Sequence, residues 1–114
     1  MTALVEFQRI TCQDQNDFAS DEPYLLYNGQ LLMPEQGDVD PGDSRTIDVI
    51  KTLEGEARVD LWDADGGFLW DDHDFLASVT ISESEVGQGQ RIQKMKGNGA
   101  AYTLFYKVHP FPSA

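Results

Sequence analysis

Cysteine occurs once, at Cys12, so the chain carries no internal disulfide framework and no zinc cluster built on cysteine pairs. A reducing compartment is compatible with that. Long apolar runs are missing too. The longest are three or four residues, far short of the roughly twenty that a membrane-spanning helix needs. The first residues, Met1 to Glu6, hold neither a basic stretch nor an apolar run of signal-peptide kind, so no secretory signal is expected. Basic residues are scarce. Eight Lys and Arg face twenty Asp and Glu, for a formal charge of −12. Sequence-independent binding to DNA or RNA needs cations that neutralise phosphate, so nucleic acid is excluded as a partner. The same balance disfavours constitutive docking on an anionic membrane. Amphipathic helices are absent from the pattern, since no window of eleven or more residues shows an i, i+3, i+4, i+7 apolar stripe.

What is present is strand and turn. The 114 residues suffice for one domain, and 40% apolar with 11% aromatic content allows a core. Turn signals recur at Asn28-Gly29, Pro34 to Gly37, Pro41-Gly42-Asp43, Glu54-Gly55, Gly66-Gly67, Gly87 to Gly89 and Gly97-Asn98-Gly99. Between them lie eight segments that favour strand: Leu4–Cys12, Tyr24–Asn28, Gln30–Met33, Arg45–Leu53, Ala57–Trp62, Ala77–Ile81, Arg91–Lys96 and Tyr102–Val108. Several alternate with a period of two. Ala57, Val59 and Leu61 oppose Arg58, Asp60 and Trp62, and Tyr102, Leu104, Tyr106 and Val108 alternate with Thr103, Phe105 and Lys107. One helical turn is allowed at Ser82–Gly87, where Ser82 and Glu85 have capping-box spacing. The pattern predicts an all-β chain, an eight-stranded antiparallel sandwich or small barrel. The domain is expected over residues 1–109, with 110–114 leaving the sheet as a short tail because Pro110 and Pro112 break strand pairing.

The acids are unevenly placed. Asp14, Asp17, Asp21 and Glu22 lie between the first and second expected strands. Asp63, Asp65, Asp71, Asp72 and Asp74 lie between the fifth and sixth. Like charges this close repel strongly, so such loops need open water or a cation. Hard oxygen ligands without paired Cys or His select Ca²⁺ or Mg²⁺ over zinc or copper. Asp63 and Asp65, two apart on a segment leaving a strand, point the same way. Gly66 and Gly67 then let the chain turn back toward the same point. The alternative is a solvated acidic loop. An EF-hand is excluded, since its sixth position is Phe68 rather than Gly and the flanks are strands.

These segments resemble C2 domains. Asp21-Glu22-Pro23-Tyr24-Leu25-Leu26 is similar to the family's Asp-Pro-Tyr lead into an early strand. Val59 to Asp65, followed by Asp74 to Ile81, resembles its apolar strand, Trp-Asp-x-Asp, acidic loop and Asp-Phe-apolar-Gly sequence. The likeness extends from about Leu4 to Val108. It implies a C2-like β-sandwich with a Ca²⁺ site at one end, and often a lipid-binding role. The ligands it implies are Asp14, Asp21, Asp63, Asp65 and Asp71, with Asp74 competing with Asp71 for one position. Asp17, Glu22 and Asp72 rank second. The chain departs from the family pattern where Glu22 stands between Asp21 and Pro23, where Ala77 replaces the usual Gly, and in the longer second acidic loop.

Phe68, Leu69 and Trp70 sit beside those acids as a wedge for a membrane interface or a partner pocket, or fold back onto the sandwich end. Arg91, Lys94 and Lys96 form a basic cluster that suits either a phosphate headgroup or a charged edge strand. His73 and His109 receive no role. Cys12 is expected to be a buried small hydrophobe, and Tyr24, Tyr102 and Tyr106 core or edge residues. No nucleophile elbow, phosphate loop or nucleotide fingerprint occurs, so a binding module is expected rather than an enzyme. The expected function is a calcium-binding module whose acidic loops dock, with Ca²⁺, on anionic lipid or on a protein. The alternative is a protein–protein interaction, inhibitor or accessory module in which Ca²⁺ is structural or absent.

Overall fold

The computed structural model describes residues 2–14, 21–64 and 73–111. Its strands are β1 (Thr2–Asp14), β2 (Pro23–Tyr27), β3 (Gln30–Met33), β4 (Ser44–Glu54), β5 (Glu56–Asp63), β6 (Asp74–Ser82), β7 (Gln90–Gly97) and β8 (Ala100–Pro110). They form two four-stranded sheets, ordered β4-β1-β8-β7 and β3-β2-β5-β6, with every pairing antiparallel. This is the eight-stranded sandwich that the period-two segments call for, and each expected segment holds a strand. The sheet reaches further than expected at its end: β8 continues through His109 and Pro110, the latter opposite Ala3. Proline is tolerated at the last residue of a strand, where no further ladder donor is needed.

Alternation fills the core. In β5, Ala57, Val59 and Leu61 point inward. In β8, Tyr102, Leu104, Tyr106 and Val108 do. β1 changes parity once. Ala3, Val5 and Phe7 are buried, then a bulge between Phe7 and Arg9 shifts the inward set to Ile10 and Cys12. Phe7 meets Tyr27 edge-on at 5.6 Å and lies 6.4 Å from Tyr106, joining the two sheets through aromatic contact.

Two hairpins are closed by Asn-Gly pairs. Asn28 and Gly29 have φ of 49° and 82°, and Asn98 and Gly99 have 48° and 82°. That left-handed pair is what a two-residue hairpin loop requires. The sheets also meet along one side. A Cβ on Gly97 would lie 1.8 Å from the Leu76 carbonyl oxygen. Beside it the Asn98 side chain donates to the Phe75 carbonyl at 2.5 Å, and Gln93 donates to the Thr80 carbonyl at 2.7 Å. A 3₁₀ turn at Glu83–Glu85 carries the capping box anticipated for Ser82 and Glu85.

Register fixes what lies at one end. Thr11 pairs with Ser44, Cys12 with Tyr102, Leu25 with Met33, and Asp63 with both Pro23 and Asp74. The connections β1–β2, β3–β4 and β5–β6 therefore emerge at the same pole.

Candidate functional site

At this pole the inward face of the β3-β2-β5-β6 sheet changes from apolar to acidic. The inward series Ala57, Val59, Leu61 ends in Asp63, and the series Tyr27, Leu25, Pro23 continues back to Asp21. Parity thus directs two carboxylates into the top of the core, and both are fully buried. Burying a charge is costly unless it is well partnered. Asp63 accepts from the Glu22 N–H through Oδ1 at 2.8 Å, and the Ala64 N–H returns to the Glu22 carbonyl at 3.0 Å. Asp21 exchanges backbone hydrogen bonds with Val39 at 3.1 and 2.8 Å. Its Oδ2 accepts a 2.5 Å bond from the hydroxyl of Tyr102, which crosses from β8 in the opposite sheet. Burial, with the Asp21 carboxylate second, pushes the Tyr102 phenol far above the ordinary tyrosine range, so it remains a donor.

Asp74 lies directly opposite Asp63 in the β5–β6 ladder. Residues so paired share a face of the sheet, which sets Asp74 with Asp63 and Asp21 on the inward side. Asp14 sits on the other sheet, exposed, opposite Ala101 after a bulge in β1. Asp17, Asp65, Asp71 and Asp72, and the wedge Phe68, Leu69 and Trp70, lie outside the described residues. Among the described residues, no group of three or more His, Cys, Asp or Glu is close enough to hold a metal ion. The described acidic side chains at this pole are carboxylates at the end of a core, hard oxygen donors by type. The thiol of Cys12 is no competitor. It is buried, donates to the Asp14 carbonyl at 3.3 Å, and has its pKa raised chiefly by burial.

A third acidic segment escaped the sequence reading. Residues 34–43 carry Glu35, Asp38, Asp40 and Asp43 and are tied to the same pole. The Cys12 N–H donates to the Asp43 carbonyl, and the Gly42 N–H donates to the Cys12 carbonyl. The acids of this segment are about as dense as those of the other two segments, but Pro34 and Pro41 mark it as a turn. Segments 14–22, 34–43 and 63–74 contain no Lys or Arg at all.

On the outward face beneath this pole, Tyr24, Trp62 and Phe75 form a cross-strand row. Tyr24 stacks on Trp62 at 6.4 Å and Trp62 meets Phe75 edge-on at 5.3 Å. The Tyr24 hydroxyl shares a 2.7 Å hydrogen bond with His73 Nδ1.

The far end of the sandwich contrasts with this. Glu85 is buried, and its Oε1 accepts from Tyr106 at 2.5 Å and from Arg91 at 3.1 Å. Its Oε2 accepts from the Ser82 N–H at 2.8 Å. Burial, then Glu85, pushes the Tyr106 phenol up to about 12. Arg91 therefore does not join Lys94 and Lys96 in one basic cluster. In β7 the residues 91, 93 and 95 face inward, while Lys94 and Lys96 are exposed on the other face of an edge strand.

No family model matches the chain, and no curated protein matches it in sequence. Among solved structures it is similar to one described as "Structure of a C2 domain". The TM-score is 0.56 and the sequence identity 13%, with 96% of this chain and 98% of that chain covered. The fold is C2-like. In this C2-like sandwich, Asp21, Asp63 and Asp74 stand on the inward side of one sheet at the acidic pole, and Asp14 on the other sheet.

Proposed function

We propose that the chain is a calcium-binding C2-like module that docks through its acidic pole. The observation that carries this reading is the pair of fully buried carboxylates, Asp21 and Asp63, set by strand parity among three segments without Lys or Arg. Glu85, the buried carboxylate at the other end, pairs with Arg91. A divalent cation is the charge that such a pole accepts. In this reading Asp14, Asp21, Asp63, Asp65 and Asp71 hold Ca²⁺. Asp74, placed beside Asp63 by register, competes with Asp71. Bound Ca²⁺ removes the repulsion that keeps the pole from an anionic lipid surface, and Phe68, Leu69 and Trp70 make the apolar contact. The chain acts by binding, not by catalysis.

A second reading, docking on a protein, is favoured by the outward Tyr24–Trp62–Phe75 row and by the presence of only eight basic residues.

A ligand that binds only the folded state stabilises it by about 2.7 kcal/mol at a hundredfold excess over Kd. Ca²⁺ should therefore raise the melting temperature, and Asp63→Asn with Asp65→Asn should abolish the rise. A melting curve unmoved by millimolar Ca²⁺ sinks the reading. For the target, Trp62→Phe leaves Trp70 as the only tryptophan. A blue shift of its emission with Ca²⁺ and anionic vesicles together, and with neither alone, supports lipid. No shift hands the lead to a protein partner.

A further inference from the structure

We propose that a small cavity on the outer face of the β4-β1-β8-β7 sheet binds a phosphomonoester, held by Lys94, Lys96 and Gln13 over Ala101. Calcium has no part in this site, which stands or falls apart from the reading above.

Strand register builds the cavity. Lys94 lies opposite Thr103 and Lys96 opposite Ala101 in the β7–β8 ladder. Residues two apart on a strand share a face and are about 7 Å apart, so the two ammonium groups stand side by side. Gln13 approaches from β1. The Thr103 hydroxyl donates to Gln13 Oε1 at 2.7 Å, which leaves the amide nitrogen as a donor. Ala101 is the short side chain among these long ones. Over it opens a cavity of about 100 Å³ lined by Gln13, Lys94, Lys96, Ala101 and Tyr102. No carboxylate lines it. Asp14 is opposite Ala101 in the β1–β8 ladder but is not part of the wall. Among the described residues, neither Lys94 nor Lys96 lies within ion-pair distance of a carboxylate. That is unusual company in a chain of twenty acids and eight bases. Lysines also serve to keep an open edge strand from pairing. The edge of β7 needs little such protection, because β6 already closes it: Gln93 donates to the Thr80 carbonyl, and the Leu76 carbonyl abuts Gly97. Two ammonium groups and an amide suit an anion with two charges and three oxygens. A phosphomonoester carries about −1.5 to −2 at neutral pH and three acceptor oxygens. A carboxylate or a phosphodiester brings one charge.

The test is an amide NMR titration of the whole chain, in chelator, with inorganic phosphate. We expect saturable shifts at Gln13, Lys94, Lys96 and Ala101, with a Kd of about 1 mM. Lys94→Gln with Lys96→Gln should weaken binding about tenfold or more, as the loss of two charge-assisted hydrogen bonds implies. Ala101→Leu keeps every charge and fills the cavity, and it should weaken binding as much. Lys107→Gln, on the same face of β8 but outside the cavity, should leave binding unchanged. Phosphate should bind more weakly at about pH 5.5 than at about pH 7.5, since its second pKa is near 6, whereas sulfate should not weaken. The source of the phosphate is read by sedimentation with phosphatidylcholine vesicles containing phosphatidic acid. Pelleting that free phosphate reverses and the double lysine variant lacks assigns a lipid headgroup. Phosphate binding without pelleting assigns a soluble phosphate. Absence of shifts at the four residues overturns the proposal, as does undiminished binding by the double lysine variant. Undiminished binding by Ala101→Leu, or equal pelleting with phosphatidylserine, reduces the site to unspecific charge and overturns it too.

Discussion

Tyr102 and Tyr106 are four residues apart on one strand, face the same way, and end on buried carboxylates at opposite ends of the sandwich. The surroundings of the two carboxylates differ. Glu85 receives a guanidinium, a backbone N–H and a phenol from a 3₁₀ turn and its neighbours. Asp21 lies at the pole where Asp63 and the segment 34–43 also stand, and segments 14–22, 34–43 and 63–74 contain no Lys or Arg. The same device, a core tyrosine donating to a buried acid, is thus joined by a guanidinium at one end. At the other it stands in a field of like charge. One fold thus places the same phenol–carboxylate hydrogen bond in two different electrostatic settings.

The largest expected effect tests that division directly. In chelator, Glu85→Gln should cost about 2 kcal/mol in urea unfolding, because it removes the charge facing Arg91 inside a partly buried pair. Asp63→Asn should cost less than about 1 kcal/mol. It keeps an acceptor for the Glu22 N–H and relieves repulsion at its own pole. Equal losses would break the comparison.

Next in size is the alkaline limb of stability. An unfolded tyrosine ionises near its ordinary value of 10.0, whereas Tyr106 in the fold keeps its proton up to about 12. Between those values the unfolded state binds fewer protons than the folded one, so stability falls as pH rises through that window and is fully present below it. Tyr102, raised further, extends the loss to higher pH. The urea midpoint should drop steadily above about pH 10, and each Tyr→Phe variant should flatten the slope. A midpoint independent of pH in that range would contradict both buried phenols.

The smallest effect is that of salt. Screening shortens to about 10 Å at 0.1 M, so added NaCl should raise the melting temperature of the metal-free chain by a few degrees. The gain should persist in Glu85→Gln and shrink when Asp21 and Asp63 are both changed to Asn. A gain of equal size in all three proteins would place the repulsion elsewhere.

Much of this was legible in the residues. Turn signals with alternation located all eight strands, Ser82 and Glu85 announced their own capping box, and Asp14, Asp21, Asp63 and Asp74 stand at one pole. Parity also carried information left unread. The inward series of β5 runs on to Asp63, and Arg91 shares a face with Met95 rather than with Lys94. What no local pattern holds is the destination of a long side chain across the core. That Tyr102 reaches Asp21, 81 positions earlier in the chain, depends on how two sheets are laid on each other. The acids of 34–43 were missed for a related reason. Their place at the pole follows from β3 and β4 belonging to different sheets, which spacing along the chain does not reveal.

Gly97 bears on how far such a sequence can drift. Most described glycines sit at positive φ with open space around them, a need that Asn or Asp meets in part. Gly97 is the opposite case. Its φ is ordinary, and the obstacle to any side chain is a backbone carbonyl, that of Leu76, which no compensating change at another position removes. Among relatives of this chain, Asn and Asp should therefore turn up at positions 29, 42 and 99, while 97 stays glycine. Few positions are fixed so tightly, and strand parity accepts many apolar residues. A fold held in this way can take the same shape as another C2-like chain at 13% identity.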